Sequence, residues 1–171
     1  INLSFNQING GSIALDVSKK NSKYKKCEYL INWILKSENL NEYNTIQRQK
    51  EFFKDCIKHK ILLKKLIKNL KKEGKSIYGY GASTKGNVLL QYCKITSKEV
   101  KYIGEVNKFK FNKFTPGSKI KIISEKKLKK MKPDYLLVLP WHFKDNIIKK
   151  EKSYLNSGGK LLFPLPDIEI I

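Results

Sequence analysis

The run Ser76-Ile77-Tyr78-Gly79-Tyr80-Gly81-Ala82-Ser83-Thr84-Lys85-Gly86-Asn87 constrains this chain more than any other. Ile77 to Tyr80 reads as an apolar strand, the glycines as a tight turn, and Val88 to Tyr92 as an apolar helix. Glycine lets the backbone turn sharply and lets a ligand approach it closely. The helix start then points unpaired N–H groups, and the positive end of its dipole, at that ligand. A phosphate suits such a place best; the competing reading is a tight strand-to-helix turn that binds nothing. The run departs from G-x-G-x-x-G because Thr84 stands where the third glycine belongs. It departs from the phosphate loop G-x-x-x-x-G-K-S/T because Asn87 and Val88 come after Gly86.

Downstream of Gly74, short apolar runs alternate with helical ones. Strands are expected at 77–80, 101–105, 120–123, 135–139 and 161–163, with a helix at 143–155. Such alternation predicts an α/β fold, a Rossmann-like parallel sheet of about five strands with helices on both faces. A long amphipathic helix precedes it, from about Asn44 to Lys72, with Ile46, Phe53, Ile57, Leu63, Leu66, Ile67 and Leu70 at three- to four-residue intervals. Gly74 ends it. Upstream lie a helix at 28–39 with Tyr29, Leu30, Trp33 and Ile34, a lysine-rich linker at 18–26, and a strand at 12–17. That strand is entered through Gly10-Gly11 and has no evident partner.

Ligands of parallel sheets bind beyond the carboxyl ends of the strands, near the point where strand order reverses. Three further features are expected there. Glu105 closes the second strand, where an acidic side chain commonly meets a ribose hydroxyl; a solvated or helix-capping carboxylate is the alternative. Thr115-Pro116-Gly117-Ser118 has the chemistry of a type II turn and reads first as a structural turn. Pro140-Trp141-His142-Phe143 closes the fourth strand, with Trp141 as a stacking plate and His142 as a donor or proton shuttle. No nucleophile elbow, paired-acid motif or cysteine–histidine arrangement appears. Cys56 and His59 share a helix face, but two residues do not make a metal site.

The formal net charge is +21, which invites a nucleic-acid reading. Arg48 is the single arginine, however, and arginine is the better fork for phosphates and guanine edges. The lysines spread along the whole chain, alongside abundant asparagine and isoleucine, as an AT-rich genome produces. No specific nucleic-acid partner is expected, only weak adhesion at low salt. No segment approaches the roughly 18 apolar residues of a membrane span, so no membrane partner is expected. Cys27, Cys56 and Cys93, odd in number and far apart, suit a reducing cytoplasm. The chain starts at Ile1 without methionine, which predicts a piece of a longer polypeptide, or a trimmed one.

Several motifs occur in a recognisable order. They are Gly79 to Asn87, Glu105-Val106-Asn107, Thr115 to Ser118, Pro133-Asp134-Tyr135, Leu139 to Phe143, Gly158-Gly159-Lys160-Leu161 and Phe163-Pro164-Leu165-Pro166. Together they resemble the C-terminal domain of the S-adenosylmethionine-dependent C-methyltransferases that act on nucleotide-linked deoxysugars. The resemblance covers roughly residues 10 to 171. It implies that residues 1–20 are the tail of a preceding methyltransferase domain, 21–73 a helical linker and long helix packing on the core, and 74–171 the Rossmann-like domain. It also implies a nucleotide-sugar substrate, S-adenosylmethionine bound by the methyltransferase domain of the same polypeptide, and zinc in a further N-terminal region. This piece would then hold no cofactor or metal and be inactive alone. Substrate contacts are implied at Gly79, Tyr80, Gly81, Ala82, Ser83, Thr84, Lys85, Gly86, Asn87, Glu105, Asn107, Thr115, Pro116, Gly117, Trp141 and His142, with no catalytic residue among them. Two departures stand out. Glu105-Val106-Asn107-Lys108 replaces the usual Asp-Arg-Asn-Pro, and the family accepts asparagine at position 142, which argues against His142 as an essential base. A dinucleotide-binding domain of the NAD(P) type, or a domain that only packs, are the alternatives.

Overall fold

The computed structural model describes every residue from Ile1 to Ile171. The chain divides into two compact units, Ile1–Ile57 and Lys58–Ile171.

In the first unit, β1 (Asn2–Asn6) and β2 (Ser12–Asp16) form an antiparallel hairpin, with Leu3 opposite Leu15 and Phe5 opposite Ile13. The strand expected at 12–17 therefore has a partner. Asn2-Leu3-Ser4-Phe5-Asn6 alternates polar and apolar residues, as a half-buried strand does, and Asn9, Gly10 and Gly11 supply the positive φ values of the connection. Helix α1 (Glu28–Leu40) comes next, and its Trp33 and Phe5 rings pack edge-to-face with centroids 6.0 Å apart. Helix α2 (Ile46–Lys72) begins in this unit and ends in the next.

The second unit is built on a six-stranded sheet in the order β5-β4-β3-β6-β7-β8. Its strands are β3 (Ile77–Tyr80), β4 (Tyr102–Glu105), β5 (Lys121–Ser124), β6 (Tyr135–Val138), β7 (Lys160–Phe163) and β8 (Glu169–Ile170). The first five are parallel. β8, which the sequence pattern does not announce, pairs antiparallel with β7. Helices cover both faces. The C-terminal part of α2, through Leu63, Ile67 and Leu70, packs with α3 (Thr84–Tyr92) on the face that carries Ile77, Ile103, Leu137 and Leu162. On the other face α4 (Glu125–Lys130), α5 (Lys144–Lys150) and α6 (Lys152–Asn156) cover Tyr80, Leu136, Val138, Leu161 and Phe163. The single helix expected at 143–155 is thus a short turn at Trp141–Phe143 and two helices that break at Glu151.

Strand order reverses at β3. The chain leaves it to β4 on one side and later returns to β6 on the other. The crevice at the carboxyl ends of β3 and β6 is consequently where this topology offers a site. Asp134 fixes the other end of the same pair: its carboxylate accepts from the Ser76 N–H (2.8 Å) and hydroxyl (2.6 Å), which aligns the starts of β3 and β6. No helix is long and apolar enough to cross a membrane.

Candidate functional site at the carboxyl ends of the central strands

The turn after β3 is shaped by contacts with β6. Gly81 has φ +78, and a Cβ there would lie 2.9 Å from the Pro140 ring. Gly86 is buried, and its Cβ would overlap the side chain of Leu139. Both glycines let the turn and the first turn of α3 press onto the segment that closes β6. Ser83 caps α3: its hydroxyl accepts from the Gly86 N–H at 3.0 Å. The Ser83 N–H donates to Gly81 O, and the first i→i−4 bond runs from the Asn87 N–H to Ser83 O. A helix leaves its first N–H groups without partners inside it. Here the Ser83 cap takes that of Gly86, and the positive end of the α3 dipole is set at the crevice.

Glu105 plays an unexpected part. It is 8% exposed, and its oxygens are taken up internally. One accepts from the N–H groups of Val106 (2.7 Å) and Asn107 (3.0 Å); the other accepts from the Ala82 N–H (2.9 Å) and lies 3.6 Å from the Lys110 ammonium. Lys110 also donates to Ala82 O at 2.9 Å. Burial alone would raise the Glu105 pKa, but the backbone N–H groups of Asn107, Val106 and Ala82, with Lys110, outweigh it and hold the pKa below the ordinary carboxylate range. The carboxylate is thus a clamp joining the glycine turn to the loop after β4. The internal anion already occupies the Ala82 N–H, which an open dinucleotide turn would offer to a phosphate.

The segment after β6 forms the other wall. Trp141 packs against both core clusters, and its ring meets His142 edge-on at 6.0 Å. Phe143 stacks at a tilt, 4.3 Å from the imidazole. His142 Nδ1 and Asn87 Oδ1 are buried without a hydrogen-bond partner. Burial, and then the positive charge of Lys85, push the His142 pKa below its usual value, so the imidazole is neutral at neutral pH.

Two groups of expected residues lie elsewhere. The Tyr80 side chain points to the opposite face of the sheet, where its hydroxyl donates to Glu151 at 2.8 Å. Strand alternation explains this: Gly79 faces Ile103 and α3, so its neighbour must face away. The Thr115–Ser118 turn precedes β5 and so sits at the amino end of that strand, not at the carboxyl ends where it was expected. A Cβ on Gly117 would meet Gln91, about 12 Å along α3 from Ser83 at helical rise. The Thr115 hydroxyl is used up in the turn, 2.6 Å from that of Ser118 and accepting from the Ile120 N–H. The crevice therefore gathers Gly81 to Asn87, Glu105, Asn107, Trp141 and His142. Asn107 caps the Lys108–Lys110 turn by accepting from the Phe109 N–H at 3.0 Å.

Sequence reasoning misses three things. Lys110 as a partner of the turn carries no signal, since one lysine among many looks like any other. The 85% exposed ring of Phe109, on the turn after β4, does carry one, the alternation Lys108-Phe109-Lys110-Phe111. The third is a buried network on the far face: Glu151, 1% exposed, accepts from Tyr80 and pairs with Lys129, which also pairs with Glu125. A cavity of about 540 Å³ opens beside that network, lined among others by Lys129, Asp134, Glu151 and Tyr154. It lies toward the amino ends of β6 and β7, away from the crevice.

Comparison with known proteins adds to this geometry. The family described as C-methyltransferase C-terminal domain matches residues 7–166. The chain is also similar to C-methyltransferase NovU of Streptomyces niveus, 35% identical over 109 residues, which is 64% of this chain and 26% of the relative. The matched segment thus spans about a quarter of the relative's length.

Proposed function

This chain belongs to the C-methyltransferase C-terminal domain family, and from that premise we propose that it is the substrate-side domain of a C-methyltransferase. It holds the nucleotide-linked sugar at the crevice between the glycine turn and Pro140–Phe143, while S-adenosylmethionine supplies the methyl group from another domain of the polypeptide. The observation that carries the reading is the start of α3: a glycine turn pressed onto β6 sets the N-terminal end of that helix at the strand-order reversal. A diphosphate answers the positive helix end.

The residues of this turn do not fit S-adenosylmethionine. That cofactor brings no phosphate to the helix start, and its ribose hydroxyls need an acceptor that Glu105, with its oxygens engaged, does not provide. The same engaged carboxylate, with Thr84 in place of a glycine, argues against a nicotinamide dinucleotide. The chain's own contribution is to bind and orient. His142, held neutral, suits hydrogen bonding to substrate better than charge pairing with the diphosphate.

Isothermal titration of the complete protein with a dTDP- or GDP-linked sugar tests the reading. Binding should weaken at least tenfold in Gly81→Val, whose side chain would strike Pro140 at a positive φ, and in Lys85→Ala, which removes a cation from the helix start. Unchanged affinity in both variants refutes the cradle. Failure of the complete protein to transfer methyl to any nucleotide-sugar refutes the enzyme assignment.

A further inference from the structure

We infer that Phe109 is the plate on which the nucleobase of the substrate stacks, an inference that rests on the reading that the crevice holds a nucleotide. Phe109 is 85% exposed, the most exposed aromatic ring of the chain, and it sits on an ordered turn. The turn is pinned from several sides. Asn107 O accepts from the Lys110 N–H (3.0 Å), Lys108 O accepts from the Phe111 N–H (3.1 Å), and Asn107 Oδ1 accepts from Phe109 itself. Glu105 holds the two residues before it, and the Lys110 ammonium ties it to Ala82 O. The ring is thus presented outward by a rigid mount joined to the glycine turn, on the loop that leaves the carboxyl end of β4.

Charge and chemistry at that place favour a nucleobase over other occupants. Glu105 is spent as a clamp, so the nucleoside cannot be held through a ribose hydroxyl on that acid. A planar base needs none: aromatic stacking supplies affinity through the π-face that every base has. Val106, 67% exposed, adds a second exposed apolar side chain to the same loop. Lys108 and Lys113, both exposed, give the loop a positive field that suits the attached diphosphate. Stacking without edge readout also predicts that purine and pyrimidine nucleotides are accepted alike.

The test titrates the complete polypeptide with thymidine diphosphate, guanosine diphosphate and inorganic pyrophosphate, as wild type, F109A and F109W. F109A should weaken both nucleoside diphosphates about tenfold, leave pyrophosphate within about twofold, and be rescued by F109W. Equal binding of nucleoside diphosphates by F109A and wild type overturns the inference, as does an equal loss for pyrophosphate, which would mark collapse of the loop. A lowered Tm in F109A with unchanged nucleotide binding would show the ring covered by another part of the polypeptide. Phe109-dependent binding to phosphatidylserine vesicles with no nucleotide effect would show a membrane surface instead. Either result overturns it. If wild type binds pyrophosphate but no nucleoside diphosphate better, the inference fails alone; if it binds none of the three, the underlying reading fails with it.

Discussion

Glu105 sits where an acid could greet a ribose, yet its oxygens answer three backbone N–H groups and a lysine. Glu105→Gln turns one acceptor into a donor facing another donor, and should cost about 1–3 kcal/mol. The pH dependence has a definite sign. A carboxylate whose pKa is lower in the folded than in the unfolded chain stabilises fully above its unfolded value, and that stability is lost as pH falls through the folded value. The gap between wild type and Glu105→Gln in urea titrations should therefore be widest at neutral pH and close in the acid range; a constant gap would contradict the clamp. The acid at the end of the second strand of the βαβ unit is legible in the sequence. Its partners are not, because they are backbone groups brought together by the turn and mark no residue type. Tyr80 is more legible than its place in the glycine motif suggests: alternation with Gly79 already sets its side chain on the far face.

At the scale of elements, the helix start and the far-face network set two separate tests. Gly86→Ala gains helix propensity but drives a methyl into Leu139; overpacking should win, with a net loss of about 1–3 kcal/mol in thermal unfolding. Lys129→Met leaves Glu151 buried without its cation and should cost about 3–5 kcal/mol, whereas Tyr80→Phe, which removes one hydrogen bond to the same carboxylate, should cost about 2 kcal/mol. A reversed order would mean that the hydroxyl, not the ammonium, holds Glu151. The strands of the parallel sheet are readable because each is a short apolar run between turn residues. Helix α3 starts earlier than its apolar run, since Thr84-Lys85-Gly86-Asn87 puts polar residues and a glycine in its first turn. β8 escapes because two exposed residues on an antiparallel edge leave almost no pattern.

Over the whole molecule, the formal charge of +21 is a repulsion that the fold must overcome. Its ion pairs with both partners exposed, Arg48–Glu51, Lys75–Asp134 and Lys144–Glu169, are worth little each. Raising salt from low to moderate concentration should screen that repulsion and lift the Tm by a few degrees, while adhesion to DNA should vanish over the same range. A Tm that falls with salt would show that the ion pairs outweigh the repulsion. Fold class is legible because periodicity and turn chemistry agree along the chain after Gly74. The reach of the crevice is not, because the Thr115–Ser118 turn folds back to the amino end of β5 and the Tyr80 side chain, although next to Gly81, points to the opposite face of the sheet.

The Glu105–Lys110 clamp also bears on how such a domain can change over generations. Thr84→Gly would restore the spacing of a dinucleotide fingerprint in one step, yet the Ala82 N–H would stay occupied. A lineage heading toward a redox cofactor must also give up the acid's internal bonds, at a cost in stability. The clamp thus acts as a ratchet: a single replacement at position 84 leaves the turn closed to such a cofactor.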